Sequence, residues 1–209
     1  MSVVAAFDVY GTLTTRDCVV PFLELVAGRA RLAAGILRHP LSTSAALVRR
    51  DRDRFKALAV RSAFAGRQAS AVAALGETFA GRVFAEWMRA DTCGRLAWHR
   101  AQGHRVVLVS ASLGSYLHPL GARLGVDGVV CTEAAIGGDG RFTGELVGAN
   151  CRGAEKVRRL RVWMAAENLN DAEVWAYGDS AGDRELLSSA HLHVFVKDRQ
   201  VSAVPEVLS

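Results

Sequence analysis

Four short stretches place polar residues where an apolar run gives out. Asp8 interrupts the run Val3–Val9 and is followed by a Gly-Thr turn, Gly11–Thr12. Ser110 ends VVLVS, with Ala111 and Ser112 after it. Asp179 ends VWAYGD, with Ser180 and Asp183 close behind. Lys156 opens a helical pattern in CRGAEKVRRL. Carboxylates on neighbouring loops repel one another unless a cation lies between them. Hard oxygen ligands with access to water suit Mg²⁺, which keeps several waters and favours a phosphate-bearing partner. A lysine adds a compact positive charge. The Ser110 hydroxyl and the backbone N–H groups of Ser110–Ala111 suit phosphoryl oxygens. An aspartate can attack phosphorus and divide hydrolysis into two displacements through an aspartyl-phosphate. Mg²⁺ and Lys156 would then stabilise charge on the transferring group.

These residues converge only if the strands that carry them are parallel neighbours. Five valine-rich runs have strand length: Val3–Val9, Arg105–Ser110, Gly128–Thr132, Glu173–Asp179 and His191–Val196. Most are apolar on both faces, as in a buried parallel sheet. Helical patterns follow three of them, at Ser115–Leu124, Gly153–Glu167 and Asp183–Ser189. This alternation predicts an α/β fold with a Rossmann-like parallel sheet. Between Thr14 and about Gly94 the texture is almost wholly helical, with Pro21–Ala27, Ala30–Arg38, Ser44–Phe64 and Ala69–Met88 as helices. The expected organisation is a core of residues 1–14 and 95–209 with an α-helical cap, 15–94, inserted after the first strand. Such a cap would cover the carboxyl ends of the strands, where open α/β sheets bind ligands. A Gly-Asp-Gly turn within Ala134–Leu146 predicts a hairpin.

The ordered motifs FDVYGTLT, VVLVSAS, CRGAEK and YGDSAGD resemble those of the haloacid dehalogenase superfamily. The texture G-x-L-V-G-x-N-C-x-G-x-E-K is similar to the phosphoserine-phosphatase-like (HAD-IB) branch. The resemblance covers nearly the whole chain. It implies Asp8 as nucleophile and Mg²⁺ ligand, Ser110 and Ala111 as phosphoryl-binding, and Lys156 as the partner of both nucleophile and phosphate. It implies Asp179, Asp183 and the backbone carbonyl of Tyr10 at the metal. Asp17 stands where phosphoserine phosphatases carry an acidic residue for the substrate amine.

Tyr10 departs from the pattern. The family's phosphatases usually hold a second aspartate there, which protonates the leaving alcohol and then activates water, a contribution of roughly 10²–10⁴-fold. A phenol is protonated at neutral pH and is a poor base for water. The same FD-x-YGTL opening is similar to that of 2-haloacid dehalogenases, which attack carbon without a metal. The acidic pair in GDSAGD argues for the phosphatase side, because a metal-free dehalogenase has little use for it. A phosphate-binding protein without turnover is the third reading.

Other residues carry blander expectations. His191 and His193 share a strand face but have no evident third ligand, and read as structural. Cys18, Cys93, Cys131 and Cys151 are scattered without a C-x-x-C pair, and with Trp87, Trp98, Trp163 and Trp175 read as packing. Arg49, Arg50, Arg52 and Arg54 alternate with Asp51 and Asp53, as on a solvated face. The net charge is +5, yet only Lys56, Lys156 and Lys197 among the 26 basic residues are lysines, and no basic run interleaves with aromatics. The basicity is therefore no sign of a nucleic-acid partner, and none is expected. No transmembrane segment or signal peptide is evident, so a cytoplasmic enzyme is expected, acting on a small-molecule or lipid-linked phosphate ester.

Overall fold

In a computed structural model of the chain, residues 2–37, 52–197 and 199–205 are described. The sheet is built from β1 (Val3–Phe7), β2 (Arg105–Leu113), β3 (Gly128–Thr132), β6 (Glu173–Gly178) and β7 (Leu192–Phe195). Their order is β3-β2-β1-β6-β7, and every neighbouring pair is parallel. The chain steps outward from β1 to β2 and β3, then crosses to the other side of β1 for β6. That reversal opens a crevice at the carboxyl ends of the central strands.

Period-two alternation divides the sheet's side chains between two cores. Ala5, Phe7, Val106, Leu108 and Tyr177 face one side, Val4, Ala6, Val107, Val109, Val174 and Ala176 the other. On the first side Phe7 stacks on Tyr177 with ring centroids 4.2 Å apart. Fully burying side chains of this size contributes about 1.5–3 kcal/mol each. On the second side the sheet meets Leu160 and Met164 of α7 (Ala154–Ala166) and Leu186 and Leu187 of α8 (Arg184–Ser189).

Between β1 and β2 lie α1 (Val19–Ala27), α2 (Arg29–Leu37), α3 (Arg52–Phe64), α4 (Ala69–Glu86) and α5 (Ala90–Ala101). Phe22 of α1, Phe64 of α3 and Phe79 of α4 form an aromatic cluster with Tyr116 of α6 (Gly114–Leu124). Gly76 allows α4 to approach α6 closely, since a Cβ there would lie 1.9 Å from the Ser115 carbonyl oxygen. The helix expected over Ser44–Phe64 is described only from Arg52, and Arg49, Arg50 and Asp51 fall outside the described residues. Helix α5 runs through residue 94, where the sequence sets the end of the insertion. Its polar, glycine-containing run ADTCGRLAWHRA gives a weak helical signal. The hairpin forms as β4 (Ala134–Ile136) against β5 (Phe142–Leu146), antiparallel.

All four cysteines are free. His191 Nδ1 accepts a hydrogen bond from the Val174 N–H at 2.9 Å, a structural role. Among the described residues no helix is long and apolar enough to cross a membrane.

Candidate active site

Strands β1 and β6 pair with Phe7 opposite Tyr177, and the Asp8 N–H donates to the Tyr177 carbonyl at 2.9 Å. Asp8 and Asp179 therefore leave adjacent strands one residue apart in register. Strand β1 stops at Phe7 because the chain then folds back on itself. The N–H groups of Leu13 and Thr14 both donate to the Val9 carbonyl, at 2.8 and 2.9 Å. Gly11 makes this turn with φ near +77°, and a Cβ there would lie 2.1 Å from Asp179 Oδ2. Only glycine meets both demands.

Lys156, in the first turn of α7, is 2% exposed. Its ammonium donates to Asp8 Oδ1 at 2.6 Å and to Asp183 Oδ1 at 2.5 Å. The other Asp183 oxygen accepts from the Ser180 N–H at 3.0 Å and from its hydroxyl at 2.6 Å. Asp183 thus caps the short 3₁₀ turn Ala181–Asp183 and pairs with the lysine at once. Asp179 Oδ1 is buried and has no hydrogen-bond partner among the described residues. One ligand oxygen from each of Asp8, Asp179 and Asp183 lies within 4.8 Å of the others.

Burial pushes the Asp8 carboxyl up, and the pull of Lys156 does not fully offset it. Burial, then the charges of Asp8 and Asp183, push Asp179 up to about 6. Burial opposes the charge on Lys156, but Asp8 and Asp183 outweigh it and hold the ammonium above its ordinary value. Three ionised carboxylates and one ammonium leave a formal charge of −2. That charge, the hard oxygen donors and the orphaned Asp179 oxygen all fit a divalent cation.

Above this floor lies a cavity of about 250 Å³ lined by Asp8, Tyr10, Asp17, Ser110, Ala111, Lys156 and Asp183, among others. Ser110 is buried, and its Oγ accepts from the Ser112 N–H at 3.2 Å. Strand β2 continues past Ser110 to Leu113, with a register irregularity after Val109. Tyr10 lines the cavity with its side chain half exposed. Asp17 uses both carboxylate oxygens to cap α1, accepting from the N–H groups of Val19 and Val20 at 3.0 Å each. The lining also includes apolar side chains, Val19, Val20 and Leu23 from α1 and Phe55 and Ala59 from α3, with Lys56 among them.

Sequence reasoning missed Lys56. It reaches from α3 to donate to the Ala111 carbonyl, to Asn150 Oδ1 at 2.8 Å and to Thr132 Oγ1 at 3.2 Å. Asn150 Nδ2 in turn donates to Asp53 Oδ1 at 2.6 Å, closing a polar bridge between α3 and the sheet. Burial pushes Lys56 down to about 8. The signal available was the scarcity of lysine.

A family model for haloacid dehalogenase-like hydrolases matches residues 5–188, and the chain belongs to that family. Protein CicA of Caulobacter vibrioides is 36% identical over 185 residues, spanning 88% of this chain and 82% of that protein. The phosphoserine phosphatase SerB1 of Mycobacterium tuberculosis is 32% identical over 123 residues, 59% of this chain and 40% of that protein. A Bordetella pertussis protein of unknown function has the same fold, with a TM-score of 0.74 at 23% identity, over 93% of this chain and 90% of that one.

Proposed function

We propose that the chain is a Mg²⁺-dependent phosphomonoester hydrolase acting through an aspartyl-phosphate on Asp8. The carrying observation is the floor itself: three carboxylates gathered beside one buried lysine, two of them just past the ends of adjacent strands. The likeness to a phosphoserine phosphatase supports the same class of reaction.

Asp8, Asp179, Asp183 and the Tyr10 carbonyl would hold Mg²⁺, which supplies charge neutralisation at the phosphoryl oxygens. Lys156 fixes Asp8 through Oδ1, leaving Oδ2 to attack phosphorus. The bond from phosphorus to the ester oxygen breaks, and the leaving oxygen takes a proton from solvent to depart as the alcohol. Ser110 and Ala111 hold the transferred group. A water then attacks phosphorus, the bond to Asp8 breaks, and inorganic phosphate is released. Tyr10 supplies no carboxylate for the two proton transfers, so turnover is slow for this family. The acidic floor also favours this reading over attack at carbon, which needs no cation.

Val19, Val20, Leu23, Phe55 and Ala59 offer the leaving group an apolar wall, and Asp17 is engaged in capping. An alkyl, aryl or lipid-linked phosphate suits this wall better than phosphoserine. The test is phosphate release from para-nitrophenyl phosphate, octyl phosphate and phosphoserine, with and without Mg²⁺, for the wild type and Asp8→Asn. Mg²⁺-dependent release that Asp8→Asn abolishes is expected, with higher kcat/KM for the apolar esters. Undiminished release by Asp8→Asn, or chloride release from 2-chloroacids without Mg²⁺, would overturn the reading.

A further inference from the structure

A second polar cluster lies away from the catalytic floor. Cys131 stands near the end of β3, Glu133 follows that strand, and His118 projects from α6. His118 Nε2 is 2.7 Å from Glu133 Oε1, Cys131 Sγ is 3.0 Å from the same oxygen, and Sγ and Nε2 are 3.8 Å apart. The fold builds this convergence. A Cβ at Gly114 would lie 2.2 Å from Glu133 Oε2, so the bare first residue of α6 seats the carboxylate. His118 stands four residues on, along the same helix face. Cys131 is 4% exposed, while the side chains of His118 and Glu133 are 55% and 42% exposed. His118 and Glu133 border a separate cavity of about 480 Å³ that shares no lining residue with the catalytic one.

We propose that His118, Cys131 and Glu133 form a second metal site, a three-ligand centre for Zn²⁺ with its fourth position open to solvent and to this cavity. The donor set decides the metal. Imidazole, thiolate and carboxylate together suit Zn²⁺, whereas Mg²⁺ takes oxygen ligands. Bond lengths of about 2.3 Å to sulfur and 2.0–2.1 Å to nitrogen give a tetrahedral sulfur-to-nitrogen edge of about 3.6 Å. The 3.8 Å found needs little adjustment. The two shorter separations are hydrogen bonds, in which the thiol and the ring N–H can both donate to Glu133 Oε1. On Zn²⁺ binding the thiol proton goes to solvent, and the imidazole binds through Nε2 as its Nδ1–H tautomer. The site would tie the start of α6 to the end of β3. It needs no assumption about the reaction at Asp8.

Co²⁺ is the spectroscopic probe. Full-length protein is stripped with chelator, placed in excess Mg²⁺ to fill the carboxylate floor, and titrated with Co²⁺. One equivalent is expected to give a thiolate-to-cobalt band in the near ultraviolet and d–d bands in the visible, both erased by one equivalent of Zn²⁺. Cys131→Ser removes the near-ultraviolet band. His118→Ala, at an exposed position that leaves the fold intact, weakens Co²⁺ binding by at least about tenfold. Glu133→Gln, which keeps the side chain's size, does the same, and Asp8→Asn changes neither signal. A thiolate band that survives Cys131→Ser, unchanged affinity in His118→Ala, or no band in the wild type would overturn the proposal and leave the cluster a hydrogen-bonded tie.

Discussion

Strand β6 carries two buried polar clusters that are opposites in kind. Tyr177 points to a network with His99, His104 and Arg95, and Asp179, just past the strand's end at Gly178, joins the carboxylate floor. In the network every group has its partner. His99 Nε2 meets the Tyr177 hydroxyl at 2.8 Å, its Nδ1 meets His104 Nδ1 at 2.7 Å, and Arg95 donates to the same hydroxyl at 3.2 Å. Burial, then His104 and Arg95, hold His99 down to about 3, so it is neutral at working pH. The floor has an orphaned oxygen and two negative charges too many. Closed polar clusters hold a fold together, and open ones are where chemistry has room to occur.

This contrast can be broken by experiment. The largest change is expected at Tyr10. If the floor lacks only its acid and base, Tyr10→Asp should raise kcat on a phosphate ester by roughly 10²–10⁴-fold, while Tyr10→Phe leaves it unchanged. No gain in an active enzyme would show that the phenol belongs to a different working chemistry.

Lys156→Met should come next. It leaves Asp8 and Asp183 buried without their cation, and should cost about 3–5 kcal/mol of metal-free stability in urea unfolding. An unchanged midpoint would mean that the lysine does not bind the floor together. Asp179→Asn should shift the opposite way. Its folded pKa of about 6 lies above the ordinary carboxylate value, so ionised Asp179 costs the metal-free fold stability that is progressively lost as pH rises towards 6. The variant should therefore be more stable than wild type at pH 7 without metal, yet need at least about tenfold more Mg²⁺ for half-maximal activity.

The smallest effect concerns the closed network. His99 stays neutral in the fold but protonates below about 6.5 in the unfolded chain. The unfolded state therefore takes up the extra proton as pH falls from 6.5 towards 3. Stability should drop by up to about 1.4 kcal/mol per pH unit from this source. His99→Gln should flatten that slope in denaturation midpoints between pH 6.5 and 4. An equal slope would place the acid sensitivity elsewhere.

Much of the floor was legible beforehand because strand ends announce themselves. Asp8 and Asp179 each stand just past a valine-rich strand and Lys156 opens a helical pattern, whereas Ser110 closes such a run although β2 continues to Leu113. Helix α5 was not legible, because Gly94 and its polar neighbours blur the helical period. Lys56 hid for a different reason. On α3 it reads as one charge among arginines, and only its contacts with Ala111, Thr132 and Asn150, 55 to 94 positions away, set it apart. The role of Asp17 as the cap of α1 was also out of view, since its carboxylate could equally have faced a ligand.

By itself the sequence determined the strands, the helical insertion and the order of the polar motifs. Those follow from periodicities and turn chemistry that act over a few residues. Tertiary structure alone decided that Lys156 meets Asp8 across 148 positions, and that His118 and Cys131 meet at one oxygen of Glu133. It also decided that Tyr10 lines the same cavity as Val20, Leu23 and Phe55. Strand order and helix packing make such meetings, and no local pattern records which distant strands will become neighbours.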